Sequence, residues 1–410
     1  MHEFHYGINA RFTIPDDVSL VAVGRPTLPP LDAATITDRV RALLQTPLNY
    51  PPLQDAVLQE DQVVLAVGEG VRCAEDIVAG AVLELLQIGV DAQNIKVILT
   101  GLSRQATGTS FTKRLPGELQ ERIEVLVHRP DDRESLSFLA PVEGGDSVYV
   151  NRFIVDADVV ISIGSLRPQS SLGYLGVDET LFPRFSDKPT QQKYARPKSV
   201  LSSTEANKRS DEAHNAIWQL GSRLTIQVIP GADNSVLDIL CGDCDTVQTE
   251  GQKRCDDAWT FEVPARTDMV IATINGDRRQ QTWANLARSI DAALRIVEDD
   301  GTLVICCNLK TPPGPAIQKL AGSESLENAY QVLAKTQSKD ALAAMQLTQA
   351  MERTRVYLLS ELSEDLVEEL GVAFVTHPDE IARLASRHDS CIVIENAQQA
   401  VTLVRDEVLS

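Results

Sequence analysis

From about residue 61 the chain alternates short apolar runs with longer amphipathic stretches. QVVLAVG (62–68) holds five uninterrupted apolar residues, the pattern of a parallel strand buried on both faces. AEDIVAGAVLELLQIGV (74–90) brings Ile77, Ala81 and Leu85 to one helical face, and Gly89 ends it. NIKVILTG (94–101) is the next apolar run. Strand, helix, strand in this order predicts a βαβ unit. RIEVLVH (122–128) and ADVVISIG (157–164) predict two further strands. A polar stretch from Pro183 to Arg209 leads to a predicted helix from about Ser210 to Leu220, then strands at LTIQVI (224–229) and VLDILCGD (236–243).

A second unit starts near Asp256. DMVIATI (268–274) reads as a strand, NGDRRQQ (275–281) as a loop and TWANLARSIDAALRIV (282–297) as a helix. Trp283, Leu286, Ile290 and Leu294 form its buried stripe. Gly301 is expected to stop the helix before the strand TLVICCN (302–308). Helices at 340–354 and 363–371 and strands at 355–360 and 391–395 complete the pattern. It predicts an α/β protein of two domains, each with a mostly parallel sheet flanked by helices. The boundaries expected are 1–255 for the first domain and 256–410 for a smaller second one. Within the first, residues 1–60 carry GRPTLPPL and TPLNYPPLQ around one amphipathic helix, DAATITDRVRALLQ. Prolines this frequent predict an arm over a body.

The 410 residues suit two cores better than one. No apolar run nears the roughly 20 residues of a membrane helix. The opening MHEFHYGINARFTIPDD has no basic start followed by an apolar core, so the expected location is the cytoplasm. A net charge of −20 argues against nucleic acid as a partner, since a duplex binder needs a cationic surface. Seven cysteines without repeating spacing do not form a disulfide framework. The CGDC pair, Cys241 and Cys244, has only Cys255 nearby as a further zinc ligand, which favours buried thiols over a metal site.

Open α/β sheets bind ligands at the carboxyl ends of their strands. Three such ends are visible: Gly68–Arg72, Thr100–Arg104 and Gly164–Gly176. The third opens IGSLRPQSSLGYLGVDETLFPRFSD (163–187), which has the composition of an active-site mouth. Yet it contains no histidine and no cysteine, and the nearest lysine is Lys188.

The order of these motifs resembles the nickel-pincer lactate racemase (LarA) family. HYGINARFTIPDD resembles the family's opening Tyr-Gly followed by Ile-Pro-Asp, and TPLNYPPLQDAV its Pro-rich arm. VVLAVGEGVR sits where the family has a strand and an Asp-x-Thr-Arg loop, and ILTGLSRQATG where it has Thr-Gly-x-His-Arg. VYVNRFIVDADVVISIGSLRPQ resembles the segment ending in a catalytic Pro-His. GYLGVDE falls on a Gly-Phe-Ser-Gly-Gly-x-Lys stretch. LDILCGD and DMVIATINGDRRQQTWANLARSIDAA resemble the later strand and the second-domain helix start. The resemblance implies racemisation of a 2-hydroxy acid. A nickel-pincer nucleotide takes hydride from Cα, two histidines move the hydroxyl proton, a lysine tethers the cofactor and another histidine ligates nickel.

Each role has a chemical requirement: a proton relay near neutral pH, a nucleophilic amine, a lone-pair donor. This chain departs from each. The relay histidines fall on Ser103 and Gln169, and the tethering lysine on Glu179. No histidine lies between His128 and His214. The catalytic set and the cofactor are therefore expected to be absent. His128 reads as a strand-end structural residue and His214 as part of an amphipathic helix.

The substrate-binding positions persist in part. Arg72 falls on the family arginine facing a substrate carboxylate; its other reading is a surface arginine at a helix start. Arg104 keeps the Thr-Gly-x-x-Arg pattern. Asn285 and Arg288 fall where the family has Gln and Lys, three apart on one helical face. Ser103 and Gln169 complete the expected binding set. Two functions follow. One is a non-catalytic relative binding a small anionic metabolite, such as a 2-hydroxy or 2-keto acid. The other is a racemase- or epimerase-type isomerase using Glu69, Asp178 or Glu179 for proton transfer.

Overall fold

A computed structural model describes residues 1–100, 111–141, 147–174, 176–195, 203–221, 223–321, 333, 336 and 338–405. Numbered along the chain, the strands are β1 (His2–Tyr6), β2 (Ala10–Ile14), β3 (Leu20–Gly24), β4 (Val63–Val67), β5 (Ile95–Leu99), β6 (Glu124–Val127), β7 (Leu136–Pro141), β8 (Ser147–Asn151), β9 (Val159–Ser165), β10 (Leu224–Pro230), β11 (Val236–Asp243), β12 (Thr260–Val263), β13 (Thr267–Thr273), β14 (Val297–Cys306), β15 (Arg355–Leu359), β16 (Ala373–Phe374), β17 (Cys391–Ile394) and β18 (Val401–Val404). The longer helices are α1 (Ile36–Gln45), α2 (Ala74–Gln87), α3 (Ser203–Gln219), α4 (Cys244–Trp259), α5 (Trp283–Leu294) and α6 (Ala341–Arg353). Among the described residues no helix is long and apolar enough to cross a membrane.

Two six-stranded sheets carry the molecule. The first runs β11-β10-β9-β4-β5-β6, parallel except for the antiparallel edge pair β10–β11. The second runs β16-β15-β14-β13-β17-β3 and is parallel throughout. All five residues of β4 are buried, as a central strand covered on both faces requires. In α5 the stripe Trp283, Leu286, Ile290 and Leu294 is buried, as its spacing predicts. Helix α1 lies on α2 so closely that a Cβ on Gly80 would stand 2.7 Å from the Thr37 carbonyl oxygen.

Three features differ from the sequence expectation. The first 24 residues, placed with the first domain by the sequence, join the second sheet. Strand β3 extends the second sheet beside β17, and the β1–β2 hairpin packs Phe4, Phe12 and Ile14 against Met269, Ile271 and Val393. Only the segment around α1 covers the first sheet, where Leu31 bonds the Val236 carbonyl. Helix α4 runs through the expected boundary at residue 255 and ends on the buried Trp259, so the two bodies share it. Gly301 lies inside β14, and α5 already ends at Leu294. A strand edge can accept a partner from any distance along the chain, and local periodicity does not record which.

Both sheets have the same inner order. After β4 the chain adds β5 and β6 on one side, then returns to place β9 on the other side of β4. After β13 it adds β14 and β15, then returns to place β17 on the other side of β13. Each sheet thus has one switch point, β4/β9 and β13/β17, and such a point leaves a crevice at the carboxyl ends of its strands.

Candidate functional site

The loops leaving the two switch points interlock. Gln280, after β13, donates its amide to the Gly70 carbonyl, after β4, at 3.2 Å. Arg167, after β9, donates Nη1 to the Gln398 carbonyl, after β17, at 2.8 Å and to Gln399 Oε1 at 3.1 Å. The two crevices therefore form one junction, with residues from both sheets on its walls.

Arg72 stands on the loop between β4 and α2. The loop enters the left-handed region twice, at Gly70 (φ 69°) and Cys73 (φ 52°), before α2 begins at Ala74. Arg72 is 2% exposed, and all three of its guanidinium nitrogens are buried without a hydrogen-bond partner among the described residues. Burial pushes its titration down to about 10, against the pull of Asp277 and Asp233. Buried donors are almost always satisfied in folded proteins, so an unpaired guanidinium marks a place where a ligand belongs.

Other arginines surround it. Burial also pushes Arg167 down to about 10; Glu179 opposes this, and the positive charge of Arg72 adds to it. Arg288 donates Nε to the Leu172 carbonyl at 3.3 Å and Nη1 to Asn285 Oδ1 at 3.0 Å. Burial, then Arg167, holds its guanidinium well below the usual arginine range. Arg184 differs from the others. It donates Nη1 to Glu69 Oε2 at 2.9 Å and Nη2 to Glu179 Oε1. Against the cost of burial, these two carboxylates raise its affinity for its proton.

Asn285 is oriented from its own helix start. Thr282 caps α5 by accepting from the Asn285 backbone N–H at 3.2 Å. The Asn285 amide donates to the Gln280 carbonyl at 2.8 Å while its oxygen accepts from Arg288. The junction thus unites the sequence-predicted Arg72, Asn285, Arg288, Glu69 and Glu179. Gln169 lies at the rim, its side chain exposed and its backbone N–H donated to Asp256 on α4 at 2.9 Å. Ser103 and Arg104 lie outside the described residues. Asp178 points toward α3, where it accepts from Nδ1 of the exposed His214 at 3.2 Å; burial raises its carboxyl and His214 opposes the rise.

Sequence reasoning missed Arg167, Arg184, Gln280 and Gln398. The two arginines lie within 163–187, a stretch searched for imidazole and amine rather than for guanidinium. The two glutamines lie just past strands of the second sheet, and the strand-end rule applied there would have found them.

The remaining candidates have structural partners. His128 is 2% exposed and donates Nε2–H to the Ser186 carbonyl at 2.8 Å, while Nδ1 accepts from Asn151 at 3.3 Å. This pattern is that of a neutral imidazole, and burial lowers its titration. Lys188 pairs with Asp131 at 3.1 Å and Lys193 with Glu212 at 4.0 Å. Cys241 packs in the core of the first sheet and Cys255 in that of the second, with burial raising both thiols.

Comparison with known proteins agrees with this architecture. Residues 6–199 match the lactate racemase N-terminal domain. A lactate racemase of Thermoanaerobacterium thermosaccharolyticum is 18% identical over 277 residues, 65% of this chain and 65% of the relative. That of Lactiplantibacillus plantarum is 19% identical over 289 residues, 68% of this chain and 67% of the relative. The sequence match thus spans just under two thirds of the first relative. In three dimensions the chain superposes on the lactate racemase apoprotein of T. thermosaccharolyticum with a TM-score of 0.79 at 16% identity, covering 98% of this chain and 99% of the other. A protein from Thermotoga maritima superposes with a TM-score of 0.67 at 12% identity, covering 92% and 99%. With the fold, the order of motifs and these matches in agreement, the chain is LarA-like, and its residues 6–199 belong to the lactate racemase N-terminal domain family.

Proposed function

We propose that this protein binds a small carboxylate, such as a 2-hydroxy or 2-keto acid, at the junction of its two sheets, and does so without nickel-pincer chemistry. Arg72 carries the reading. A guanidinium that is buried and unpartnered fits a carboxylate, which accepts two parallel N–H bonds from it. Arg288 and Asn285 stand across the junction as a further charged donor and a polar group for the ligand's remaining oxygens. The chain's part is to bind and orient: Thr282 sets Asn285, Asn285 sets Arg288, and Gln280 pins the Arg72 loop.

The residues described do not fit the family's nickel-pincer nucleotide. Nickel needs imidazole or thiolate donors, and the tether needs a free amine. The charged groups of the junction are guanidiniums, which repel a cation, and carboxylates with partners of their own: Glu69 and Glu179 bond Arg184, Asp277 bonds Arg279 and Asp233 accepts from Asn275. His128 has both ring nitrogens occupied. Among the described residues no group of three His, Cys, Asp or Glu side chains is placed to hold a metal ion.

Calorimetric titration with lactate and with pyruvate tests the reading. The parent should bind at least one of them. Arg72→Ala should weaken that binding by about tenfold to a hundredfold, the loss of a charged hydrogen-bond partner. Arg72→Lys should restore only part, since lysine lacks the planar fork. Equal affinity in parent and folded Arg72→Ala would sink the reading. Interconversion of the lactate enantiomers, followed by chiral chromatography, would favour the isomerase alternative instead.

A further inference from the structure

Arg72 is not the only cation of the junction with no carboxylate bonded to it among the described residues. The described hydrogen-bond partners of Arg167 are a carbonyl and an amide oxygen. Those of Arg288 are likewise a carbonyl and an amide oxygen. The carboxylates acting on Arg167 and Arg288, Glu179 and Glu69, both bond Arg184. Three guanidiniums, Arg167, Arg184 and Arg288, therefore share Glu69 and Glu179. Asp277, the first carboxylate acting on Arg72, is bonded by Arg279 at 2.8 Å, which also reaches Glu75 at 3.0 Å. Asp233 is the other carboxylate acting on Arg72, and it accepts from the Asn275 amide at 3.0 Å.

One carboxylate can engage one guanidinium in a bidentate pair. It would leave Arg167 and Arg288, both half-buried, bonded to neutral oxygens alone, where like charges repel. Backbone geometry keeps the three together. Val67 and Ile163 are partners on β4 and β9, and Gly68 donates its N–H to the Ile163 carbonyl at 2.8 Å. Arg72 and Arg167 thus leave adjacent strand ends, and Arg288 reaches the Arg167 loop through Leu172. The mutual repulsion of these charges contributes to the low titration of Arg167 and Arg288.

We propose that the ligand carries two anionic groups: one held by Arg72, the other received by Arg167 and Arg288 where the loop after β9 meets α5. This rests on the carboxylate reading above and names the class of acid more closely. The second group is a carboxylate or a phosphate, since both accept bidentate bonds from guanidinium.

The test compares three probes on the parent protein. Lactate carries one carboxylate. Tartronate replaces its methyl group with a second carboxylate, and 2-phosphoglycolate carries a phosphate as the second group. Titrated under one buffer and salt, tartronate or phosphoglycolate should bind about tenfold to a hundredfold more tightly than lactate. Whichever does so identifies the second anion. Arg167→Gln keeps a polar side chain beside Gln398 and should remove most of this preference while leaving lactate binding near the parent's. Arg72→Ala should weaken all three. Thermal melting checks that each variant is folded, and Arg167→Met replaces Arg167→Gln if the latter does not fold. Equal binding of lactate and both dianions by the parent overturns the second anionic group but leaves the carboxylate reading standing. A preference that survives in folded Arg167→Gln or Arg167→Met also overturns it. Failure of all three probes to bind overturns the second anionic group, and failure of pyruvate as well overturns both readings.

Discussion

Replacing Arg72 with methionine should stabilise the ligand-free protein while abolishing ligand binding. The guanidinium is buried, its three nitrogens lack partners among the described residues, and its titration lies at about 10. A free arginine titrates above about 12, and each pH unit corresponds to about 1.4 kcal/mol, so the charged form loses about 3 kcal/mol on folding. The sign follows from proton linkage. The unfolded chain holds more protons than the folded one only between the two titration points, so stability rises with pH only in that alkaline window. At neutral pH the whole cost is present. Methionine keeps an unbranched stem against the same walls and removes the charge. Part of the gain is offset by imperfect packing, leaving an expected increase of about 1–3 kcal/mol. Urea unfolding of parent and variant without ligand measures it. Adding a bound carboxylate should then stabilise the parent and leave the variant unchanged. A variant less stable than the ligand-free parent by more than about 1 kcal/mol would refute the argument, because Arg72 would then have a partner within the protein.

Three further outcomes are expected. Burial lowers the titration of His128, so its folded form resists protonation and stability should fall as pH drops below about 6.5. His128→Gln should flatten that slope between pH 7 and 5 in urea titrations. At pH 7 it should cost about 1–3 kcal/mol by disturbing the bonds to Ser186 and Asn151. Gly80→Ala gains about 1 kcal/mol of helix propensity. Its Cβ would meet the Thr37 carbonyl at 2.7 Å and Val40 Cβ at 2.8 Å, so the net effect should be destabilising by about 1–3 kcal/mol, read as a lower urea midpoint. Protein produced together with the enzymes that build the nickel-pincer nucleotide should carry neither stoichiometric nickel nor a covalent adduct. An adduct on Lys188 or Lys193 in intact-mass and peptide spectra would show a working tether.

The strands and helices were legible because burial leaves a periodic trace in the residues themselves. QVVLAVG is apolar at every core position because β4 is covered on both faces, and the α5 stripe repeats every three or four residues because one face meets the core. The α/β class and the family resemblance follow from that trace and from the order of motifs, and the place of Arg72 at a strand end follows with them. Periodicity records which face is buried, not what covers it. That LVAVG (20–24) pairs with a strand some 370 residues later had no local sign. The same holds for the charges. Arg184 lies 115 residues from Glu69, and Arg167 lies 231 from Gln398. Whether a guanidinium meets a carboxylate, a carbonyl or nothing depends on how two switch points face each other. That arrangement comes from long-range packing, so tertiary structure alone decided that Arg184 is neutralised and that Arg72 has no hydrogen-bond partner among the described residues.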